Sequence, residues 1–382
     1  MIKGFFGRLL VVDASQHTSH VEELDEKILQ STLGGKGLAT RLLLDRNPAG
    51  VDPLAPENHF IIALGPASDS AIYGSCRHGL FSKSPLTGFY AESYSGGRAA
   101  IPMSRAGYDA VVIHGASVAP VWLEINEQGC VFHDASDLWG KDTYETEDAI
   151  KARLGNPDAA ALVIGPAGEK MVRFAVVEND YWRSAGRSGL GAVLGSKKIK
   201  GVTFFGRQPR PVADPGAIKA YAKEMLANFK DHKGTQTYRN YGTPVMVSVL
   251  NTAGGFPTRY WSRGSYEGWT RINAETLLDR CKARPKACRA CFMGCGKFAE
   301  VQEGRHKGLK LEGPEYETIY SFGGLCCIDD LNEIIYFNDL CDRLGMDTIT
   351  SGNLVAFAIE ASKRGKIDAV YDYGDPDLVA DL

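Results

Sequence analysis

The sequence predicts an α+β protein in which a β-rich N-terminal part precedes a mainly α-helical part. Up to about residue 206, short β-branched or aromatic runs end at glycine and proline turns such as Gly65-Pro66 and Gly165-Pro166. A proline-rich linker follows at residues 206–215. Beyond it, apolar residues recur at helical spacing. We therefore expect two domains, spanning residues 1–207 and residues 208–382.

The local patterns place individual elements within these two domains. In the first domain, the expected strands are Phe60–Leu64, Ala110–His114, Val121–Ile125, Ala161–Ile164 and Val172–Val177, and the expected helices are Gly37–Asp45, Tyr144–Leu154 and Leu190–Lys198. In the second, the expected helices are Ala217–Lys230, Pro244–Asn251, Ala274–Arg280, Asp330–Leu344 and Asn353–Arg364.

Composition excludes several classes of protein. The chain has 382 residues, of which 44% are hydrophobic, so it can bury at least one full core. Its 43 basic and 46 acidic side chains leave a formal charge of -3, too small a field to attract nucleic acid or an anionic membrane. Residues 1–15 are expected to form a strand rather than a secretion signal, and no uncharged apolar run is long enough to cross a bilayer. These features favour a soluble cytoplasmic protein.

The nine cysteines are unevenly distributed, which is unlike a secreted disulfide framework. Cys288, Cys291 and Cys295 lie in one short segment whose gaps of two and three residues let three sulfurs face one small inorganic core, and Gly294 permits the bend that this requires. An iron–sulfur cluster is favoured, while structural zinc and unligated thiols stay open as alternatives. The order of the gaps is the reverse of that in radical enzymes that use S-adenosylmethionine. Cys281 or the adjacent pair Cys326-Cys327 could supply a fourth sulfur, but these and the other cysteines, Cys76 included, are interpreted as small buried residues.

Two glycine-rich segments flanked by arginine predict phosphate binding. Ser95, Gly96 and Gly97 precede Arg98 and are expected to open a helix after a strand, where exposed backbone N–H groups bind anions. Arg183, Ser184, Gly186 and Arg187 repeat this arrangement further along. Together the segments suit a ligand with two phosphate-bearing halves, although either could be an ordinary turn. Arg77 adds a positive charge to a third short segment, although it could be an ordinary surface charge.

Acidic residues in the helical part suggest further chemistry. Glu315 follows a Gly-Pro turn, where it is either a helix N-terminal acid or a proton-handling group near a cofactor. Asp342, Met346 and Asp347 surround Gly345, the predicted C-cap of a long helix. Two carboxylates there would accept hydrogen bonds from an N–H-rich heterocycle such as a pterin.

In combination, these segments resemble the tungsten-containing aldehyde:ferredoxin oxidoreductase family. The matching stretches, in order, are Leu33–Ala39, Lys83–Gly88, Ala106–Ala110, Ile164–Glu169, Ala185–Ala192 with Gly195–Lys197, Tyr241–Thr243, the cysteine triplet, Glu312–Glu317 and Asp342–Asp347. The resemblance extends over essentially all 382 residues. It implies a β-rich first domain beneath a tungsten or molybdenum bis-pyranopterin, with helical domains covering it.

The resemblance also implies roles for individual residues. Cys288, Cys291 and Cys295 would bind a 4Fe–4S cluster, and Glu315 would be the carboxylate near the metal. The remaining positions would contact the cofactor: Arg77 between pterin and cluster, Arg183 and the glycine loops at the phosphates, Tyr94 and Ser184 through backbone carbonyls at a bridging Mg²⁺, and Asp342, Met346 and Asp347 at one pterin.

Some positions depart from the family pattern. Tyr94, Ser184 and Met346 replace the usual asparagine, small apolar residue and leucine, and Tyr336 and Asp339 occupy the places of a dimer metal motif. A homodimer bridged by metal is therefore not expected. The fourth cluster cysteine, a second pterin motif and the active-site histidine would lie in a third helical domain beyond Leu382.

The expected reaction is oxidation of a small aldehyde, with electrons passing to ferredoxin or an iron–sulfur subunit. Two alternatives stay open: a related reductase acting on aryl-CoA thioesters, and a zinc-stabilised protein that binds a phosphate-bearing ligand.

Overall fold

A computed structural model describes residues 2–382 and confirms the predicted α+β architecture. The chain forms two compact units. The first contains residues up to Met225 together with Cys288–Ala290 and Asp342–Met346, and the second contains Leu226–Ala287, Cys291–Cys341 and Asp347–Leu382. The predicted domain boundary at residue 207 stays a prediction.

The strands are β1 (Arg8–Asp13), β2 (Thr18–Glu23), β3 (Phe60–Ala63), β4 (His78–Lys83), β5 (Tyr90–Ser95), β6 (Ala110–His114), β7 (Val121–Asn126), β8 (Gly129–Asp134), β9 (Ala160–Val163), β10 (Val177–Asn179), β11 (Arg183–Ala185), β12 (Ile199–Phe204), β13 (Arg284–Lys286), β14 (Gly296–Glu300) and β15 (Lys310–Glu312).

The α-helices are α1 (Glu26–Thr32), α2 (Gly35–Arg46), α3 (Ala100–Arg105), α4 (Thr143–Leu154), α5 (Pro166–Glu169), α6 (Leu190–Ser196), α7 (Pro215–Phe229), α8 (Lys233–Tyr241), α9 (Val245–Thr252), α10 (Ala274–Arg280), α11 (Tyr316–Thr318), α12 (Leu331–Leu344), α13 (Thr348–Lys363) and α14 (Pro376–Asp381). A 3₁₀ turn forms at Glu267–Arg271, and α11 continues as a π-helical turn at Ile319–Gly324.

Two mixed sheets build the first unit. Their strand orders are β2-β1-β6-β3-β4-β5 and β11-β10-β9-β12-β7-β8. Only the pairs β1 with β6 and β7 with β12 are parallel among the strand pairs described. A single buried cluster joins side chains of both sheets, such as Leu10 and Leu80 from one and Leu123 and Val202 from the other. Burial of these apolar faces is the main stabilising term of the unit.

A buried ion pair fixes the segment that leaves the last strand of this unit. Asp109 is fully buried and accepts hydrogen bonds from the backbone N–H groups of Phe6 and Gly7 and from Arg210 Nη1, the last at 2.9 Å. Arg210 also donates to the Gly4 carbonyl and the Ser104 hydroxyl. The residues after β12 are therefore tied to the N-terminal segment.

The second unit is mainly helical but also contains the three-stranded antiparallel sheet β13-β14-β15. Its core includes Phe256, Ile334, Ile335 and Phe337. Asp347 caps the N-terminus of α13, and Asp375 caps that of α14.

Most predicted elements are present within a few residues of their predicted ends, and the differences have physical causes. The predicted strand Val172–Val177 is largely a loop, and β10 begins only at Val177 because Val172 and Ala175 instead make turn hydrogen bonds. Helix α8 and the sheet β13-β15 were not predicted, because their polar residues hide the apolar periodicity. Within residues 2–382, every helix is too short or too polar to cross a membrane.

Replacing Arg210 by methionine is expected to lower the free energy of unfolding by about 3–5 kcal/mol, because it leaves Asp109 as a buried carboxylate without its cation. Urea denaturation followed by circular dichroism measures the change. Arg41→Met, which removes an exposed pair with Asp45, is the control and should leave the midpoint unchanged. Equal midpoints for the two variants would contradict the stabilising role of the buried pair.

Candidate functional site

Cys288 lies against the backbone of Gly96 and Gly97 in the first unit. The Gly97 N–H donates to the Cys288 Sγ at 3.3 Å, and a Cβ on Gly96 would lie 2.9 Å from the same sulfur. A side chain at position 96 would therefore displace the thiol. A hydrogen bond from Cys76, the charges of Arg183 and Arg77 and the Gly97 N–H together lower the pKa of Cys288 to about 5, against the effect of burial. Cys288 is thus held in the form that ligates metal.

Cys76 is a site residue that sequence reasoning missed. It is buried, as expected, but its side chain also hydrogen-bonds Cys288. It lies directly before Arg77, so one short segment supplies both a thiol and a cation to the Cys288 sulfur. The adjacency of Cys76 to Arg77 was visible in the sequence, but nothing there indicated contact with residue 288.

Cys291 and Cys295 belong to the second unit and are half-buried. Positive φ angles at Ala290 (56°) and Gly294 (55°) bend the segment that carries the three cysteines. Glycine adopts a positive φ without strain, so Gly294 permits the bend that was predicted there. All nine cysteines lie within the described residues, and none forms a disulfide.

The Lys297 side chain, two residues after Cys295, is enclosed by backbone carbonyls. Its Nζ donates to carbonyl oxygens of Tyr238, Arg239, Gly294, Cys295 and Gly296 at 3.0–3.4 Å. Burial lowers the pKa of Lys297, while Glu315 and the Cys295 sulfur oppose that change.

The structure brings the two predicted glycine–arginine segments together in the first unit. The Ser95 hydroxyl donates to Asn179 Oδ1 at 2.7 Å and to the Arg183 carbonyl at 3.1 Å, and Asn179 Nδ2 donates to the Gly96 carbonyl. The Arg187 N–H donates to the Ser93 hydroxyl at 3.1 Å. The loops that follow β5 and β11 therefore lie side by side, as the binding of a ligand with two phosphates would require.

The first of these segments leads into a helix, as predicted, although the helix begins a few residues later. Ser95 ends β5, and Gly96 and Gly97 lie in the turn before α3, which begins at Ala100. Gly97 has φ +83°, and a Cβ there would lie 2.4 Å from Asp180 Oδ2. That carboxylate also accepts the Arg98 N–H at 2.7 Å. Gly97 is thus needed for close packing against residue 180, and its N–H is directed at the Cys288 sulfur.

The second segment contains a buried carboxyl group beneath it. Glu178 is fully buried and accepts hydrogen bonds from the Ser184 hydroxyl at 2.8 and 2.9 Å. Burial raises the pKa of Glu178 to about 8, with a further contribution from Glu147 and opposition from the Ser184 hydroxyl. A Cβ on Gly186 would lie 3.5 Å from Ser184 Cβ and approach no other atom as closely. The loop is therefore open around Gly186 and anchored below Ser184.

Tyr94 projects from β5 and is 41% exposed, with its hydroxyl donating to Glu92 at 3.1 Å. Its backbone pairs with Gly79 on β4. The Tyr94 ring also lies edge-on against the buried Phe81 ring, at 5.8 Å between centroids. A role for the Tyr94 backbone stays a prediction.

The segment Asp342–Met346 belongs to the first unit. The Asp342 carbonyl accepts a hydrogen bond from Thr143, the Gly345 carbonyl accepts one from Val176 N–H at 2.9 Å, and Met346 packs among small side chains. A Cβ on Gly165 would lie 2.3 Å from the Leu344 carbonyl oxygen, so Gly165 permits this close approach. Asp342 is buried within the segment.

Asp347, the next residue, has a structural use that the sequence interpretation did not include. Its carboxylate accepts from the backbone N–H groups of Ile349 and Thr350 and from the Thr350 hydroxyl at 2.6 Å. It is the N-cap of α13 in the second unit. A role toward a pterin stays a prediction for this residue.

Glu315 is held by Thr243 in the second unit. The Thr243 hydroxyl donates to the Glu315 carboxylate and accepts the Tyr316 N–H at 2.9 Å. Glu315 also occupies the N-cap position of α11. Thr243 was part of a family-like stretch in the sequence, but its contact with Glu315 depends on folding.

Among residues 2–382, no three His, Cys, Asp or Glu side chains converge on one position in the arrangement that binds a single metal ion.

Comparison with protein families matches nearly the whole chain. Residues 9–206 match the family described as aldehyde ferredoxin oxidoreductase, N-terminal domain, and residues 220–382 match aldehyde ferredoxin oxidoreductase, domains 2 & 3.

Individual relatives agree. The chain is 37% identical over 365 residues to the tungsten-containing aldehyde ferredoxin oxidoreductase of Pyrococcus furiosus, covering 95% of this chain and 60% of that protein. It is 38% identical to the enzyme of the same name from Thermococcus kodakarensis (95% and 59%) and 31% identical to the aliphatic sulfonate oxidoreductase, WOR-like subunit, of P. furiosus (94% and 60%). The chain thus spans about 60% of the length of these relatives.

A solved structure is also similar. The active site complex BamBC of benzoyl coenzyme A reductase, in complex with 1,5-dienoyl-CoA, superposes with a TM-score of 0.83 at 27% identity. The match covers 96% of this chain and 57% of that one.

Replacing Glu178 by glutamine is expected to stabilise the protein increasingly as the pH rises from about 5 to about 8. The folded carboxyl has a pKa near 8 and the unfolded one near 4.5, so the folded state holds the extra proton in this window and loses stability as the pH rises. Glutamine mimics the protonated acid and does not titrate. Urea midpoints at pH 5, 7 and 8.5 measure the effect, and a difference from wild type that does not grow with pH would contradict it.

Proposed function

Because the chain belongs to the aldehyde ferredoxin oxidoreductase family, we propose that it forms the cofactor-holding part of a tungsten-dependent oxidoreductase that converts aldehydes to carboxylic acids. The observation that carries the proposal is the Cys288 thiolate, held by Gly97, Cys76 and two arginines. Electrons would leave to ferredoxin or to an iron–sulfur partner subunit.

The residues of the first unit fit the proposed cofactor. Arg77 and Arg183 both act on the Cys288 sulfur, so two cations lie beside the proposed cluster ligand. The Ser95–Gly97 and Arg183–Arg187 segments are interlocked and would hold the two phosphate-bearing halves. The backbone carbonyls of Tyr94 and Ser184 would hold the Mg²⁺ ion. Asp342 and Met346, with the following Asp347, would contact one pterin.

The cysteine segment fits a cluster rather than a simple turn. Cys288, Cys291 and Cys295 fall within eight consecutive residues, with left-handed bends at Ala290 and Gly294. When bound, the tungsten or molybdenum bis-pyranopterin would supply the two-electron oxidation, with the oxygen atom taken from water, and the 4Fe–4S cluster would transfer the electrons singly.

The chain's own residues would bind, orient and move protons. Glu315 would exchange a proton with the substrate or with water, since a positioned carboxylate is a common general acid or base. Thr243 orients it by donating to one carboxylate oxygen and accepting the Tyr316 N–H, which leaves the other oxygen as the proton carrier. The arginines would balance the charge of the phosphates.

A reductase acting on aryl-CoA thioesters is a second candidate. The similarity to the benzoyl coenzyme A reductase complex favours it, and so does Tyr94, which replaces the usual asparagine. A panel of aldehydes with an oxidised low-potential viologen, set against an aryl-CoA thioester with the reduced dye, separates the two reactions. Activity with the thioester alone would overturn aldehyde oxidation.

Metal content tests the class of the protein. Anaerobically purified full-length protein is expected to contain tungsten or molybdenum together with iron, and Cys291→Ser is expected to lose most of the iron because it removes one thiolate ligand. Cys130→Ser is the control, since Cys130 lies on β8 of the first unit, outside the segment that carries Cys288, Cys291 and Cys295. Elemental analysis decides, and zinc without iron would favour the zinc-stabilised alternative.

Replacing Glu315 by glutamine is expected to lower kcat by about 10²–10⁴-fold with a much smaller change in KM, because glutamine cannot exchange the proton. The control is Glu300→Gln, which changes a half-buried carboxylate paired with Lys310 on the neighbouring strand. Steady-state kinetics on metal-replete samples measure both. A Glu315→Gln variant as active as Glu300→Gln would remove the assigned role.

A further inference from the structure

We propose that Lys297 is a positioning residue that places a buried positive charge beside the cysteine loop and thereby raises the reduction potential of the cluster. This inference rests on the proposed function, because it assumes that Cys295 is a cluster ligand. Nothing in the sequence interpretation singled out this lysine.

The Lys297 ammonium group is enclosed by carbonyl oxygens from two segments. Tyr238 and Arg239 contribute oxygens from the last turn of α8, at 3.4 and 3.0 Å. The cysteine loop contributes those of Gly294, Cys295 and Gly296, at 3.3, 3.1 and 3.2 Å. A helix C-terminus has unsatisfied carbonyls and a partial negative charge, both of which favour a cation. The ammonium therefore joins α8 to the loop.

The cation is shielded from solvent. Lys297 is only 1% exposed, so its charge is not screened as that of a surface lysine would be. A buried ammonium is stable only when its donors are satisfied, and here the three N–H groups have five acceptors within reach. The five carbonyl oxygens thus stabilise an ammonium charge that a buried site without such acceptors would not retain.

The loop approaches α8 closely because residue 242 has no side chain. A Cβ on Gly242 would lie 2.7 Å from the Cys295 carbonyl oxygen and 3.2 Å from Lys297 Cγ. The next residue, Thr243, holds Glu315. The groups that attract the ammonium are Glu315, Cys295 and Glu312, and Arg239 repels it. Lys297 therefore interacts electrostatically with both a proposed cluster ligand and the proposed proton-handling carboxylate.

A fixed cation near a cluster ligand favours the form with one more electron. Adding an electron makes the cluster more negative, and the attraction is strong where water is excluded. Lys297 is thus expected to raise the reduction potential. A residue that only shaped the loop would change how much iron is bound but not the potential of the clusters that remain.

The test is a reductive titration of anaerobically purified full-length protein, followed by the electron paramagnetic resonance signal of the reduced cluster. Lys297→Met keeps the length of the side chain without its charge and is expected to lower the midpoint potential. Lys297→Arg keeps the charge and is expected to stay close to wild type. Lys310→Met is the matched control, because it removes an exposed cation from the same three-stranded sheet and should change nothing.

An iron-loaded Lys297→Met protein with the wild-type midpoint would overturn the inference. If Lys297→Met does not fold, Lys297→Gln, which is neutral but can still donate to the carbonyl oxygens, replaces it: a lowered midpoint supports the role of the charge, and a wild-type midpoint contradicts it. Wild-type protein without iron would instead remove the proposed function before any variant is compared. The two failures are therefore distinguishable.

Discussion

The contact between the Cys288 sulfur and the backbone of Gly96 and Gly97 is the constraint on which the site in the first unit depends. It requires two residues without side chains at the end of β5, one to leave room for sulfur and one to adopt a positive φ. The same turn connects to Asn179 and Arg183 through Ser95. One short turn thus places a thiolate, two arginines and a second loop in a single environment, and a bulkier residue would separate them.

Several features could be predicted from the sequence because they depend on local patterns. Strand β6 and helix α10 have the predicted ends, since their apolar spacing is unambiguous. The cysteine triplet and the bend at Gly294 follow from spacing and residue type alone. The family resemblance depended on the order of many short motifs, and the family comparison confirms it.

Other features depend on contacts between distant parts of the chain and left no local signal. Cys76 contacts a sulfur more than two hundred residues away in sequence, and Thr243 reaches Glu315 only after folding. Asp347 illustrates a different limit of sequence analysis. Its carboxylate caps the N-terminus of α13, a structural role that the motif interpretation did not consider. Gly97 likewise has two roles. It permits close packing against Asp180, and its N–H contacts the Cys288 sulfur. A functional motif and a structural requirement can therefore share the same residue.

The composition of the two compact units has a consequence for dissecting this protein. Cys288–Ala290 and Asp342–Met346 are embedded in the second half of the sequence, yet they belong to the first unit. A gene fragment that stops near Met225 would therefore leave the Gly165 surface and the Gly96–Gly97 turn uncovered, without the strips of chain that fill them. The complementary fragment would contain Cys288–Ala290 and Asp342–Met346 without the part of the first unit against which they pack. Neither fragment contains a complete compact unit, so a single cut in the chain would not isolate the β-rich part as an intact domain.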